Sequence, residues 1–403
     1  MQECVKRYDV AVAGAGIAGI AAAVQTAREG KKTVLLEKTV LPGGLATTGL
    51  VYIYLPLCDG NGHQVAFGLV EELLKKSIEY GPGDIPDWRI ARNAEEAKRY
   101  RVVFSPASFM LALDEFLKEN GVDIWYDTLI CGAEVENRKL RSVYVENESG
   151  RIRIDAECFI DASGSGIVAR RAGIPGFEQE TNFLSMWTLQ YDKRLSECRN
   201  YDLSPEIRMN LFGVPRIEEK APEGTVFRGI SGKKVTDFLL RGRELLLDYY
   251  KRNWKEGGVT RKEFYPLHLP AMAQFRKIFA LQSLRDLQTG ENNRRFEDSI
   301  GLIGDWRKSG PVWEIPYRSL CPASGTGGFL AAGRCIGSRG DAWEVTRVIP
   351  TAALTGQVAG LAASMSIDSG VEPGDLKVSE LQSRLQTMGF PLHLPEVGLS
   401  YAE

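Results

Sequence analysis

The chain has 403 residues, 44% of them hydrophobic and 25% charged, with a net charge of −2. That profile gives room for two substantial domains, and it excludes a disordered chain or a global positive field for nucleic acid or anionic membrane. Seven cysteines without a CxxC pair and only three histidines point to a reducing, cytoplasmic setting, with no metal, cluster or dithiol chemistry expected.

In chain order, Tyr8 to Ala13 reads as a short apolar strand, followed by Gly14-Ala15-Gly16-Ile17-Ala18-Gly19. Ile20 to Arg28 then reads as an Ala-rich helix closed by Gly30, and Lys32 to Leu36 as a second strand ending in Glu37. Glu37 falls 18 residues past Gly19, where a ribose-binding acid is expected. Strand, glycine turn, helix, strand and acid together predict a dinucleotide site with the pyrophosphate at the helix N-terminus. The uncharged run from Val10 to Ala27 has the length of a secretory signal. Asp9, the three glycines and the charged strand that follows argue against that reading.

Leu41 to Thr48 contains Gly43-Gly44, which reads either as a tight loop beside a ligand or as a plain connection. Ser105-Pro106 opens a helix as N-cap and first helical residue, with Phe109, Leu113, Phe116 and Leu117 on one face and Gly121 at its end. Val122–Tyr126, Leu129–Val135, Leu140–Glu146 and Arg151–Ile154 read as strands of an inserted β-ribbon. Cys158–Ile160 is another strand, feeding the turn Asp161-Ala162-Ser163-Gly164-Ser165-Gly166.

The stretch 176–314 is richer in aromatic and charged residues, with a helix near Val235–Tyr250, and reads as a cap over the cofactor. Pro266 to Pro270 (with His268), Arg276 and Asp305-Trp306 carry its chemical potential. Phe329 to Ala332 is a strand into Gly333-Arg334, and Thr351 to Met365 is a helix. The uncharged run Val348–Ile367 is broken by Pro350, two glycines and Gln357, so it reads as a buried helix and not a membrane span. A helix N-terminus beside an isoalloxazine stabilises negative charge at the N1–C2 edge of the reduced ring. The chain has no second GxGxxG, which argues against a dedicated NAD(P)H domain.

The sequence resembles the FAD-dependent oxidoreductases of the glutathione-reductase type. The likeness is carried by "VAVAGAGIAGIAAAVQTAREG…VLLEK", "GGLATTG", "FIDASGSGIVARRAG" and "FLAAGRCIGSRGDAWEVTRVIPTAALTGQVAG". It implies an α/β fold: a discontinuous Rossmann-type FAD-binding domain over 1–50, 100–175 and 315–366, with an inserted α+β cap at 176–314. Residues 51–99 would connect, and 367–403 would form a C-terminal helical tail.

By the same resemblance the Gly14–Gly19 turn, Glu37 and Lys38 hold the ADP half of FAD. Gly44 and Leu45 lie near the pyrophosphate or flavin, and Ile130 meets the adenine. Ala162, Ser163 and Gly164 contact the phosphates and ribityl, while Gly333, Thr351 and Ala352 approach the pyrimidine edge. Three departures stand out. Ser165 replaces an acid common in the family, Ser163 replaces Thr, and Gly340-Asp341 occupies the neighbourhood where many members carry a histidine.

The expected function is hydride transfer between flavin N5 and a small polar substrate that is hydroxyl-bearing, sugar-like or a hydroxy acid. Tyr317 or Asp341 would take the proton, and Arg318, Arg334 and Arg347 would clamp charge. Cys335 beside Arg334 is a candidate for covalent flavin attachment, against the plainer reading of a packed thiol. The partners expected are a small molecule and an unidentified electron acceptor, with no nucleic acid and no membrane; oligomeric state is left open. The alternatives are an RNA-modification factor using Arg89–Arg101 or Lys233–Arg252, and a non-catalytic electron carrier.

Overall fold

The computed structural model describes residues 4–81, 99–180, 182, 184, 186–195, 207–212 and 226–402, the stretch 207–212 as backbone alone. The chain opens with β1 (Cys4–Ala13), α1 (Ile17–Arg28) and β2 (Thr33–Leu36), then β3 (Ile53–Tyr54), α2 (Leu69–Ile78) and β4 (Val102–Val103). It continues through α3 (Pro106–Glu119), β5 (Asp123–Trp125), β6 (Leu129–Glu136), β7 (Lys139–Asn147), β8 (Gly150–Asp161) and α4 (Ile167–Arg171). Next come β9 (Gly176–Glu178), β10 (Met186–Asp192), β11 (Ile207–Phe212), α5 (Gly232–Glu256), β12 (Phe264–His268) and β13 (Phe279–Leu281). The chain closes with β14 (Ser299–Gly304), β15 (Val312–Pro316), β16 (Phe329–Ala331), α6 (Ala342–Thr346), α7 (Ile349–Ser369) and α8 (Val378–Thr387).

The main sheet runs β5-β2-β1-β8-β7-β6, with β16 also paired to β8. The pairs β2–β5, β1–β2, β1–β8 and β8–β16 are parallel, whereas β7 pairs antiparallel with both β6 and β8. Two strands therefore share one edge of β8: Ile152–Asp155 face β7, and Phe159–Asp161 face β16. The expected pieces Arg151–Ile154 and Cys158–Ile160 are one continuous strand. The charges between them do not interrupt it, because Asp155 is partly exposed and bonded to Arg153 and Ser142, and Glu157 points to solvent.

Side-chain alternation on β1 explains why both faces are covered. Val10 and Val12 join the core beneath α1, α2, α3 and α7, whereas Ala11 and Ala13 join the core on the opposite face with Val34, Leu36 and Phe159. The closest helix contact is α1 against α7. A Cβ on Gly356 would lie 2.1 Å from the Ala18 carbonyl oxygen, so a glycine is what lets the two helices approach. This contact seats the N-termini of both helices over the same edge of the sheet.

The expected helix at 106 is present as read, with the Ser105 hydroxyl accepting from Ser108 N. Outside the main sheet, β10 is the centre of the three-stranded sheet β11-β10-β12, and α5 packs on its β12 and β11 strands. The hairpin β14–β15 packs against α7 and α8, and Gln382 Nε2 donates to the Glu297 and Ser299 carbonyls. Among the described residues no helix is long and apolar enough to cross a membrane.

Candidate active site

A cavity of about 480 Å³ opens at the C-terminal ends of β1, β2, β8 and β16, the position where open parallel sheets bind ligands. Gly14, Gly16, Ile17, Ala18, Glu37, Lys38, Gly44, Leu45 and Ile130 line it, together with Ala162, Ser163, Gly164, Gly333 and Ala352.

Gly16 is the N-cap of α1 and carries no side chain to cap the helix, so the first N–H groups of α1 are left for a ligand. A Cβ at Gly16 would meet no protein atom within 4 Å and would stand in the cavity itself. Gly43 N donates to the Ala15 carbonyl at 2.7 Å, which fastens the double-glycine loop to the turn. Glu37 is buried. Its Oε2 accepts from Ala15 N at 2.8 Å, and its Oε1 accepts from the Thr39 N and Oγ1 at 2.9 Å each. The acid expected at the ribose thus also braces the glycine turn.

The second turn is organised by Asp161, which is fully buried at the end of β8. It accepts from Ser163 Oγ at 2.6 Å and from Ala169 N at 3.0 Å, and burial pushes its carboxyl above the usual range. Ser163 Oγ in turn accepts from Ile167 N at 3.1 Å, so this hydroxyl shapes the turn. At the other end, Ile349 and Ala352 of α7 reach the cavity, and no side chain caps that helix either.

Three expected cofactor residues stand just behind the wall. Ala15 supplies the N–H to Glu37. Gly19 has no room for a side chain, since its Cβ would fall 1.8 Å from the Gly14 oxygen. Thr351 turns its hydroxyl to the Val345 carbonyl at 2.7 Å and away from a ligand.

The expected catalytic residues are corrected in three of four cases. Tyr317 is buried, and its hydroxyl donates to the Pro373 carbonyl at 2.7 Å, which leaves no access to a substrate. Arg318 is half-exposed and 3.7 Å from Asp298. Asp341 is bound by the Arg307 guanidinium, which Asp305 also holds, and so stays an anion away from the cavity. Arg347 does line the cavity, paired to Glu344 at 2.5 Å. Arg334 lines it too, with Nε donating to the Gly164 carbonyl at 2.7 Å. Cys335 is buried, and its thiol is pushed up to about 12, first by burial and then by Asp161, which makes it a packed thiol rather than a nucleophile. Among the described residues no group of histidines, cysteines and carboxylates could hold a metal.

Sequence reasoning missed Arg170, Thr128 and the wall formed by Gly229, Val235, Ala271–Ala273, Phe275 and Ile278. No local motif marks these residues; they meet the glycine turns only through the fold. Of the RNA-binding candidates, Arg89–Arg101 lies outside the described residues except for 99–101. Lys233–Arg252 lies on α5, where Lys233 pairs with Asp237 and Arg241 with Glu244.

Uncapped N-termini of α1 and α7 over one cavity, joined by two glycine turns and a bracing acid, define a dinucleotide-binding flavoprotein. The family described as FAD dependent oxidoreductase matches residues 9–201 and 284–385, more than half of the chain, and the protein belongs to it. Its cofactor is FAD, and the Gly16 cradle with its free N–H donors fits that group. The chain is also 34% identical over 98 residues to a thioredoxin reductase of Bacillus subtilis, a match that spans 29% of that protein and 24% of this one. A thioredoxin reductase of Ureaplasma parvum is 35% identical over 71 residues, 23% of its length and 18% of this chain. Among solved structures, p-nitrophenol 4-monooxygenase from Pseudomonas putida shares the fold, with a TM-score of 0.52 at 12% identity over 96% of this chain and 84% of that one.

Proposed function

We propose that this FAD-dependent oxidoreductase oxidises or reduces a small polar organic molecule, hydroxyl-bearing, sugar-like or a hydroxy acid, by hydride exchange with flavin N5. FAD supplies the two-electron chemistry when bound, and the chain supplies position and charge. The observation that carries the reading is that one cavity is shared by both glycine turns and by the wall from Gly229 to Ile278. That wall would cover one side of a substrate lying beside the cofactor.

Gly16, Ile17 and Ala18 would present N–H groups to the diphosphate, and Glu37 would receive the ribose. The α7 N-terminus at Ile349 and Ala352, with Arg347 beside it, would favour negative charge on a ring bound there. Among the described residues no carboxylate or histidine lines the Arg347 end, so a hydroxyl proton leaves to water. The six described free cysteines suit a reducing, cytoplasmic compartment, and an unidentified acceptor takes the electrons onward.

The test is anaerobic mixing of the FAD-loaded protein with polyols, sugars and hydroxy acids while following the visible flavin band. Bleaching by one class at a saturable rate supports the reading. A flavin that every class leaves oxidised, while dithionite reduces it, overturns it.

A further inference from the structure

Two arginines, Arg334 and Arg347, line one end of the cavity, and two further cations, Arg276 and Lys277, stand on the segment between the lining residues Phe275 and Ile278. Glu344 accepts from Lys277 at 2.8 Å and pairs with Arg347 at 2.5 Å. Arg334 is nine-tenths buried, and its bonds run to the backbone carbonyls of Gly164 and Phe275 at 2.7 and 2.5 Å. Arg276 is half-buried, with Nη1 3.3 Å from the Gln274 carbonyl and its guanidinium 5.9 Å from the centre of the Trp187 ring. Among the described residues no carboxylate lies within ion-pair range of Arg276 or Arg334. Burial first, and the Arg347 charge with it, pull the Arg276 guanidinium down to about 9 and that of Arg334 to about 10. Both remain protonated at neutral pH, and the Glu344 charge offsets the repulsion at Arg276 only in part.

A second observation points the same way. Trp187 Nε1 is buried without a hydrogen-bond partner, although the backbone N–H of the same residue donates to Gln274 Oε1 at 2.8 Å. Gln274 also holds the Gly49 carbonyl, so Trp187 and Arg276 are fixed beside the cavity-lining segment Ala271–Phe275. An indole donor and a neighbouring guanidinium that share no acceptor are suited to an oxyanion. The FAD diphosphate is served elsewhere, by the α1 N-terminus. Trp187 belongs to the three-stranded sheet and not to the glycine turns.

We infer that the substrate is a carboxylate, its anionic group held by Arg276 and Arg347 with the Trp187 indole N–H as a third donor. The inference rests on the preceding reading of the cavity as the reaction site and narrows its substrates to acids. Neutral hydroxyls hydrogen-bond but leave the positive charge in place, whereas a carboxylate neutralises it and accepts from planar guanidinium donors.

The experiment titrates the FAD-loaded protein with benzoate and, separately, with its neutral isostere benzamide, following perturbation of the flavin spectrum. Benzoate is expected to give a saturable change and benzamide none. Arg276→Gln is expected to weaken benzoate binding about tenfold to a hundredfold with FAD retained, and Arg276→Lys to recover part of the loss. If Arg276→Gln does not fold, Trp187→Phe keeps the ring and removes the N–H, and a several-fold weakening is expected. Equal binding of benzamide, or binding of benzoate that neither substitution alters, overturns the inference. Bleaching by neutral polyols as fast as by hydroxy acids overturns it too while leaving hydride exchange intact. Failure of every substrate to reduce the flavin would instead count against the underlying reading.

Discussion

Glu37 Oε2 accepts the Ala15 N–H at 2.8 Å, tying the tip of β2 to the glycine turn that follows β1. On the proposed reading one carboxylate has two duties, to receive a ribose and to hold the glycine turn in shape. Glu37→Gln replaces one acceptor oxygen with a donor that faces another donor. The loss of a buried charge-assisted bond, about 1.5–3 kcal/mol, predicts FAD affinity lower by about tenfold or more. Fluorescence titration of the apoprotein with FAD measures it, and unchanged affinity would refute the dual role.

Two glycines of the same turn, Gly16 and Gly19, separate cofactor binding from folding. Gly16→Ala places its methyl in open cavity, so apoprotein stability should hold while FAD affinity falls. Gly19→Ala drives its methyl into the Gly14 carbonyl and should cost about 1–3 kcal/mol or more of stability. Thermal unfolding of both apoproteins beside FAD titration distinguishes the two effects.

The flavin should come away with the supernatant when the protein is denatured, because the buried Cys335 thiol stays protonated at neutral pH. Cys335→Ala should bind FAD and retain its colour. Yellow colour remaining on the precipitated chain would show the opposite.

Tyr317→Phe removes a buried hydrogen bond to the Pro373 carbonyl and should lower stability by roughly 1 kcal/mol. Because Tyr317 does not reach the cavity, the rate of flavin reduction by substrate should be unchanged. A large fall in that rate, with the fold intact, would restore Tyr317 as the proton acceptor.

Glu344 carries a pH dependence whose sign follows from its surroundings. Burial raises its carboxyl, but Arg347 and Lys277 outweigh that, and the net shift is downward from the usual carboxylate value. A depressed folded-state pKa contributes stability that is present above the unfolded value and lost as pH falls through the folded one. Acid titration of thermal stability should therefore show a loss below the ordinary carboxylate range, and Glu344→Gln should remove that part of the profile. The same substitution leaves the cation cluster without its carboxylate and should destabilise the protein by roughly 1–3 kcal/mol at neutral pH.

The nucleotide half of this protein was legible in its sequence because its signals are local. Gly14, Gly16, Gly19 and Glu37 act within one strand–turn–helix–strand unit, where steric space at each glycine and the distance to the next strand tip are set by nearby residues. Ser105-Pro106 announced its helix for the same reason, since a cap and a fixed φ need no distant partner. Long-range packing decided the rest. Tyr317 and Asp341 looked chemically able, but β15 turns Tyr317 into the core beneath Pro373, and Arg307 claims Asp341. Arg276, Trp187 and Arg347 come from three separate stretches of chain. Their shared excess of donors exists only where the 271–278 segment, β10 and the α6–α7 junction meet, because charge balance in a buried site is a property of assembled neighbours.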